Sequence, residues 1–451
     1  MRRSWLWWLV VCLALTALVA CGEDVVLTET AVSRASPPPT SSTTLSATPV
    51  TSDSSITPKS EDESAMRYGY TYQQPDGNRL AQGTGRMPTV SPIDVPLRGV
   101  PRWVTAVSAQ NITWWAVVLQ DNTVQLFQVQ DGTITELTPP ISQIPFPPLL
   151  YLKNSQPALA IPPDTAFGLT HPALLPNGLL AYPLPGDGLQ VGSQSLELTP
   201  LPDGRILQDE NGRLLLLTNP TTRYDHAVLG DELEASGIAL LKTSPELSIH
   251  TQIPIPDPFV IEGVAPIWTD WDGDGTREII VTLSSLATGA QIVLFDEQGN
   301  QLAKGPAIGQ GYRWRHQIAV APFGPNGEME LVDVLTPHIG GVVEFYRWEG
   351  EVLTIVAKQA GYTSHVIGSR NLDMAAAGDF DGDGRFELLL PNQSRTELGA
   401  IQHTSEGAKV IWRVPLPGKM VTNLATTTTE NGRLVIGVGL DNGILRLWPA
   451  Q

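Results

Sequence analysis

Cysteine is scarce in this chain, which has only Cys12 and Cys21 among its 451 residues. Both lie near the N-terminus, and Cys12 falls inside a segment that reads as a cleaved signal sequence. Cys21 is therefore the only cysteine expected in the mature chain, which excludes an intramolecular disulfide even in an oxidising compartment. We expect stability to come instead from burial of apolar side chains and from bound ions.

Basic clusters and catalytic motifs are also missing. The formal net charge is −18, and no group of Lys and Arg residues stands out. The sequence has no Gly-rich phosphate loop, no HExxH, no GxSxG and no Cys-rich metal site, and its seven histidines are scattered. These absences argue against nucleic acid as a partner and against direct adhesion to anionic lipid, and they favour a protein that is not an enzyme.

Strong helical periodicity is absent from the mature chain. The 41 glycines and 38 prolines instead supply turns between many short strands. With 42% hydrophobic residues, the composition is that of a secreted, globular, all-β protein.

The one long apolar run, residues 5–20, follows Arg2 and Arg3 and ends in "LVAC". That ending resembles the lipobox of bacterial lipoproteins, and the resemblance implies a signal peptide over 1–20 and a lipid on Cys21. An uncleaved anchor is the alternative, although sixteen residues are few to span a bilayer. Either interpretation tethers the protein to the cell membrane or cell surface, on the extracytoplasmic side.

Residues 21–65 read as a disordered linker. Twenty of the residues 31–60 are Ser, Thr or Pro, and none is aromatic, so this stretch cannot bury enough surface to fold. A flexible stalk of forty such residues would span about 35 Å root-mean-square. The folded domain is then expected over 66–451.

Two acidic loops, "DWDGDGTREII" from residue 270 and "DFDGDGRFELL" from residue 379, share one spacing. Carboxylates at positions 1, 3, 5 and 9 repel one another unless a cation lies among them, and hard oxygen ligands in a Gly-bent loop suit Ca²⁺. Two calcium sites are therefore predicted, with backbone carbonyls contributing at position 7. The predicted ligands are Asp270, Asp272, Asp274, Thr276 (carbonyl) and Glu278 in the first loop, and Asp379, Asp381, Asp383, Arg385 (carbonyl) and Glu387 in the second.

Position 12 excludes a helix–loop–helix calcium hand, because Val281 and Leu390 stand where that motif needs a glutamate. A metal-free hairpin turn stays open as an alternative. The pattern D-x-D-G-D-G-x-x-E before an apolar strand resembles the calcium loops of FG-GAP and VCBS repeats. That resemblance implies a β-propeller of the integrin α type.

The repeat extends beyond these two loops. "APFGPNGEMELV" matches Phe323, Gly327 and Glu330 to the acidic loops but has lost the aspartates, so it keeps the turn without the metal. Strand starts near 264, 316, 373 and 421 give a period of about fifty residues, the size of a four-stranded blade.

The whole domain is predicted to hold about seven four-stranded blades, clearest over 264–451. One blade is expected over 104–138, one irregular blade over 139–200 and one over 203–253; six or eight blades stay open. The last blade shows only three strands before the chain ends, so residues 85–99 are predicted to supply its fourth.

Propeller topology predicts a polar face. Loops between the second and third strands of a blade, and links between blades, open on the face away from the acidic loops. The insertion 219–235, the loop 336–341 and the links 310–314 and 362–371 belong there. Six candidate ligand-binding residues follow, with ordinary solvated side chains as the alternative: Tyr224, His226, Arg313, His338, His365 and Arg370.

The sequence therefore predicts a lipid-anchored, calcium-stabilised propeller that binds or scaffolds a protein or a carbohydrate. An enzyme acting at the polar face, a polysaccharide lyase or hydrolase, is the first alternative. A lipoprotein of envelope assembly that holds a partner peptide is the second.

Overall fold

The computed structural model describes residues 67–163 and 169–450, all within the second of the two units into which the chain divides, residues 61–451. Every regular element in these ranges is a β-strand. They hold no helix that is long and apolar enough to cross a bilayer. The predicted signal peptide, the lipid on Cys21 and the linker 21–65 lie outside the described residues and stay predictions.

Three strands precede the first complete sheet: β1 (Tyr68–Gly69), β2 (Leu80–Thr84) and β3 (Ile93–Pro96). Ten follow up to residue 196: β4 (Pro101–Ala109), β5 (Ile112–Leu119), β6 (Val124–Gln130), β7 (Thr133–Leu137), β8 (Leu150–Lys153), β9 (Gln156–Leu159), β10 (Ala173–Leu174), β11 (Leu180–Pro183), β12 (Leu189–Val191) and β13 (Gln194–Leu196). The next nine are β14 (Leu207–Gln208), β15 (Leu214–Thr221), β16 (Glu234–Lys242), β17 (Ser248–Pro254), β18 (Val260–Ile261), β19 (Ile267–Thr269), β20 (Glu278–Ser285), β21 (Gly289–Phe295) and β22 (Gln301–Lys304). The last eleven are β23 (Arg315–Ala321), β24 (Glu330–Leu335), β25 (Val342–Glu349), β26 (Val352–Ala360), β27 (Ala376–Asp379), β28 (Glu387–Pro391), β29 (Glu397–Thr404), β30 (Gly407–Pro415), β31 (Met420–Thr428), β32 (Leu434–Leu440) and β33 (Ile444–Trp448).

Most of these strands fall into eight small units, which we call blades 1 to 8; β18 and a single β22–β26 bridge join blades 4 to 6 into one hydrogen-bonded sheet. Blade 1 is β4–β7, blade 3 is β10–β13, blade 4 is β14–β17, blade 5 is β19–β22, blade 6 is β23–β26 and blade 7 is β27–β30. Blade 2 has the three strands β1, β8 and β9, and blade 8 combines β31–β33 with β3. Seven blades in the described residues thus have four strands, and the remaining one is smaller.

Apolar clusters lie between neighbouring blades all the way round. Eight of them connect the eight blades, each cluster drawing its side chains from two consecutive blades. At the seam between blades 8 and 1, Trp115 is fully buried against Gly437, where an added Cβ would lie 2.3 Å from the indole ring. Because every blade packs on two others, the sheets close into a ring, and the fold is a β-propeller.

Residues 139–200 differ from the single irregular blade that the sequence predicted. They supply β8 and β9 to blade 2 and all four strands of blade 3. These strands have only two to four residues each, so the alternation of apolar and polar residues is too short to be recognised in the sequence. Prolines at positions such as Pro157 and Pro183 remove ladder donors, which helps to keep the strands short.

The last blade is completed from the N-terminal side, as the sequence predicted. Strand β3 pairs antiparallel with β33, with Ile93 opposite Leu447 and Val95 opposite Leu445. Pro96 lies at the end of this outer strand, where the missing N–H costs no ladder bond. The prediction that residues 85–99 supply the fourth strand is confirmed.

The residues before β3 were not predicted to have a role, yet they lie on the axis of the ring. We call residues 67–85 the axial segment. Its main chain bonds to inner strands around the ring: Gln208 N donates to Pro75 O (2.9 Å), Trp268 N donates to Asp76 O (2.9 Å), and Ala377 N donates to Arg79 O (2.8 Å). A segment that bonds to blades 4, 5 and 7 at once must occupy the central channel.

Candidate functional site

The two acidic loops lie on one face of the ring, each between the first and second strands of its blade. Carboxylate oxygens of Asp270, Asp272 and Glu278 all lie within 4.8 Å of one another. The second loop repeats the arrangement with Asp379, Asp381 and Glu387. Asp274 and Asp383, also predicted as ligands, stand outside these groups, and each caps the amide two residues on: Thr276 N at 2.7 Å and Arg385 N at 2.8 Å. The carbonyl ligands predicted at Thr276 and Arg385 stay predictions.

Backbone amides hold the first aspartate of each loop in place. Gly273 N donates to Asp270 Oδ1 (2.8 Å), and Gly275 N donates to Asp270 Oδ2 (3.1 Å). Both glycines have positive φ, 78° and 89°, a conformation that L side chains rarely adopt. The D-x-D-G-D-G spacing therefore folds the chain back so that the carboxylates converge.

Electrostatics favour a cation in both loops. Glu278 and Glu387 are buried. Burial first, and then the neighbouring aspartates, raise the pKa of Glu278 to about 7 and that of Glu387 to about 9. Among the described residues, neither glutamate has an ion pair with Lys, Arg or His. A divalent cation held by oxygen ligands would supply the missing positive charge, so the donor set fits Ca²⁺.

The degenerate third loop shows what happens where the aspartates are gone. Its Glu330 begins β24 as Glu278 begins β20, but it has side-chain partners of its own. Arg347 Nη2 lies 2.6 Å from Glu330 Oε1, and His403 Nδ1 lies 2.8 Å from Oε2. The guanidinium group of Arg347 thus provides here the positive charge that the acidic loops lack.

The opposite face carries most of the predicted ligand-binding residues in one cluster. His338 and His365 contact each other, with His338 Nε2 at 2.6 Å from His365 Nδ1. His365 Nε2 lies 2.5 Å from Ser369 O and must carry a proton to bond there. His365 Nδ1 is then the acceptor and His338 Nε2 the donor, which leaves His338 Nδ1 unprotonated.

Tyr224 and His226, from the insertion between β15 and β16, pack against Tyr312. Ring centroids are 5.9 Å apart for Tyr224–His226 and 5.2 Å for both rings against Tyr312. His226 Nδ1 bonds to Glu262, a carboxylate with no solvent exposure, and Ser284 Oγ donates to the other oxygen of that carboxylate. Burial raises the pKa of Glu262, and the bond from His226 opposes this rise.

Trp314 lies at the centre of the cluster. Its ring stacks on His316 (4.8 Å, 13°) and His338 (6.0 Å, 15°) and meets the edge of His365 at 5.1 Å. Burial lowers the pKa of His338 to about 4 and that of His365 to about 3. The cluster is therefore uncharged at its centre near neutral pH. We call Tyr224, His226, Tyr312, Trp314, His316, His338 and His365 the histidine–aromatic cluster.

The two predicted arginines behave differently. Arg370 bridges the cluster's neighbouring loops, with Nε 2.9 Å from Asp203 Oδ2 and Nη2 bonded to Asp231 of the insertion. Arg313 is exposed, and its carbonyl accepts a bond from Ala290 N (3.2 Å). The structure thus brings four candidates together, ties Arg370 to the insertion beside them, and leaves Arg313 at the solvent-exposed edge.

Several members of this site were missed from the sequence. Glu262 lies in "FVIEGVA", where an acid inside an apolar run was the available signal. Trp314 and His316 follow Arg313 in "GYRWRH" and read as the start of a buried strand. Neither the stacking on Trp314 nor the bond to Glu262 follows from spacing, because both depend on loops from different blades.

Large apolar side chains are exposed on the loops of this face. Leu286 is 52% exposed, Ile339 83% and Ile367 68%, and Tyr312 is also exposed. We call these four residues the apolar rim. Their loops touch: Gly311 N donates to Leu286 O (3.0 Å), and Gly368 N donates to Val228 O in the insertion (2.9 Å).

Comparison with known proteins gives structural likeness alone. No protein-family model and no curated protein matches the chain. A europium-containing methanol dehydrogenase is similar with a TM-score of 0.49 and 8% identity, over 84% of this chain and 91% of that one. The WD40 domain of a Toxoplasma gondii coronin is similar with a TM-score of 0.41 and 7% identity, over 81% and 87%. A chain of a mitotic checkpoint complex has a TM-score of 0.41 and 10% identity, over 82% and 92%.

Proposed function

We propose that the chain is a lipid-anchored, extracytoplasmic β-propeller that binds a partner protein on the face formed by the histidine–aromatic cluster and the apolar rim. The apolar rim is the observation that carries this proposal. Large apolar side chains exposed on neighbouring loops, beside polar groups, are typical of protein interaction sites.

The character of the surface favours a binding role over catalysis. The rim and the cluster spread over five loops from blades 4 to 7. The buried carboxylate of Glu262 is engaged by His226 and Ser284, which fixes the imidazole in one orientation. Held in this way, the rings present a rigid surface that loses little conformational entropy on binding.

Attachment to the membrane is a second part of the proposal. A lipid on Cys21 and a flexible stalk over 21–65 would hold the propeller at the cell surface and lift it by about 35 Å from the lipid headgroups. The binding face would then be free to meet an envelope protein.

Calcium is the third part. Asp270, Asp272 and Glu278 would hold one ion, and Asp379, Asp381 and Glu387 the other. Each ion would neutralise a buried glutamate at the start of a core strand. Its role is to stabilise blades 5 and 7, on the face away from the partner.

A direct affinity measurement tests the binding face. Candidate partners are first captured from solubilised envelope on the full-length protein in nanodiscs. The affinity of each purified partner is then measured for the wild-type protein and for its variants. The double substitution Ile339→Asp/Ile367→Asp should weaken binding about tenfold or more. Val352→Asp is the matched control, because Val352 is 54% exposed but begins β26 on the opposite face.

Equal affinities for the double variant and for wild type would contradict this proposal. So would a chain that binds glycans on an array while no envelope protein binds through the rim. The latter result would show that the main ligand of the propeller is a carbohydrate and not a protein.

A further inference from the structure

A narrow cavity opens at the axis of the ring, on the same face as the apolar rim. Its walls come from links between blades, which supply Leu169, Asp203 and Arg370. About 290 Å³ of space lies between its walls when the open solvent at the mouth is included, and the part closed off from solvent has room for about one water-sized group. None of the four residues of the apolar rim lines this space.

The floor of the cavity is a buried ionic group, in which one carboxylate is paired with two guanidinium groups. Asp373 is bonded by Arg79 Nε (2.8 Å) and by Arg205 Nη1 and Nη2 (2.9 and 2.6 Å), and all three residues are buried. Thr71 Oγ1 donates to the same carboxylate at 3.2 Å. The carboxylate is therefore fully engaged and offers nothing further to a ligand.

The bond from Thr71 fixes the tautomer of His171. Thr71 gives its only hydroxyl proton to Asp373, so it must accept from His171 Nε2, which lies 2.9 Å away. His171 Nδ1 then carries a lone pair. Burial lowers the pKa of His171 to about 3, so the ring stays neutral under physiological conditions.

Two residues that line the cavity each have a buried polar atom without a partner among the described residues. The two atoms are His171 Nδ1 and Thr170 Oγ1, and both side chains are only 4% exposed. A buried polar atom without a hydrogen bond costs about 1–3 kcal/mol. The site is therefore built to receive a hydrogen-bond donor at one point and a second polar contact beside it.

Charge selects the kind of donor. Arg205 and Arg370 line the cavity and disfavour an ammonium group, while an ionised anion lacks the proton that His171 Nδ1 would accept. The remaining wall includes Trp103, a buried aromatic surface. A neutral hydroxyl group next to an apolar ring face satisfies all of these conditions.

We propose that the axial cavity binds a neutral saccharide, which inserts one hydroxyl group between His171 Nδ1 and Thr170 Oγ1. The hydroxyl donates to the imidazole and accepts from the threonine. Arg370, at the mouth, contacts the next oxygen of the sugar. This site does not depend on the protein partner proposed above.

The test measures binding of small glycosides to the full chain, purified in a detergent without a sugar headgroup. The probes are the methyl glycosides of glucose, galactose, mannose and N-acetylglucosamine, observed by saturation-transfer NMR. At least one should bind at millimolar concentration. Thr170→Val should weaken it about tenfold, because one buried hydroxyl then lacks a partner.

Two controls separate loss of the contact from loss of the fold. Thr133→Val removes an exposed threonine hydroxyl of β7 and should leave binding unchanged, and Thr170→Ser should retain it. Deoxy versions of the bound glycoside vary the ligand and leave the protein intact, and one of them should bind about tenfold more weakly. The proposal is overturned if no glycoside binds, if every deoxy version binds as well as its parent, or if a folded Thr170→Val protein binds normally.

Discussion

Three glutamates begin the second strands of blades 5, 6 and 7, and their neighbours differ. Glu330 has Arg347 and His403. Glu278 and Glu387 have aspartates, whose charges raise the pKa of both glutamates further after burial has done so. A repeat that keeps its aspartates therefore favours an external cation, whereas the repeat that has lost them pairs its glutamate with Arg347. This difference between residues is the main physical support for calcium.

The raised pKa values predict how stability depends on pH. In a chelator, the folded chain keeps protons on Glu278 and Glu387 between about pH 4.5 and their folded pKa values of about 7 and 9, whereas the unfolded chain has lost them. Unfolding then releases protons, so Tm should fall as pH rises from 5 to 8. Calcium should flatten this slope, since it replaces the protons.

Thermal melts across this pH range, with and without calcium, measure the slope. Glu387→Gln, which cannot ionise, should reduce it in chelator. A Tm that rises with pH in chelator, or a slope that calcium does not change, would contradict the assignment.

Asp373 provides a test of the buried core. Burial would raise its pKa, but Arg205 and Arg79 lower it below the ordinary value, so the group is ionised. Asp373→Asn leaves two buried guanidinium groups without a counterion and should cost about 3–5 kcal/mol in the free energy of unfolding.

Asp94→Asn is the matched control for this substitution. Asp94 pairs with Arg446 near the surface, so its loss should cost about 1 kcal/mol or less in urea denaturation. Similar losses in both variants would show that the ionic group on the axis contributes no more than a surface pair.

At the scale of elements, the N-terminal residues of the domain do two jobs. The axial segment fills the channel and bonds to several inner strands, and β3 then closes blade 8 at its outer edge. Gly69 shows how tightly the segment fits, since a Cβ there would lie 1.9 Å from Ala106 O. The N-terminal residues of the domain are thereby bonded to the inner strands around the channel and, through β3, to the C-terminal strand β33.

Truncation distinguishes this architecture from a ring that closes without its N-terminal residues. Deleting 22–65 should leave Tm nearly unchanged, because the described contacts begin at residue 67. Deleting 22–98 removes both the axial segment and β3, and should abolish cooperative unfolding in calorimetry. A 99–451 domain that melts as sharply and as high as the full chain would refute this role.

The sequence predicted some of these elements and missed others for physical reasons. Strand β3 could be predicted because the sequence shows only three strands in the last blade, which would leave one edge of that blade unpaired. In the axial segment, tyrosines alternate with smaller or polar residues only over residues 68–73, a pattern too short to assign to a blade, and the order of the segment comes from hydrogen bonds to distant blades. His338 and His365 could be assigned to one face from topology, but their contact depends on loop conformations that spacing does not determine.

At the scale of the whole molecule, the two faces of the ring carry different chemistry. Acidic loops open on one face, and the apolar rim, the histidine–aromatic cluster and the axial cavity lie on the other. The proposed partner site and the proposed calcium sites would thus be separated by the thickness of the blades. If both proposals hold, loss of calcium should weaken partner binding only through the stability of blades 5 and 7.

Anchoring by lipid is tested at Cys21. Cys21→Ser should abolish acylation and move the protein from the membrane fraction to the soluble fraction, because one cysteine carries the only proposed anchor of the mature chain. Mass spectrometry of the N-terminal peptide, with fractionation, measures both effects. Cys12→Ser should stay lipidated; a wild-type chain without lipid, or a lipidated Cys21→Ser chain, would exclude this attachment.

Calcium titration by calorimetry tests the central claim most directly, because the number of sites follows from the comparison of three loops. The account predicts two sites in wild type, one in Asp381→Ala and two in the control Asn326→Ala, with Kd of about 10⁻⁴–10⁻³ M. Calcium at millimolar concentration should also raise Tm, since an ion that binds only the folded state stabilises it. The absence of binding heat and of any thermal shift in the wild type would contradict the account and return both acidic loops to metal-free turns.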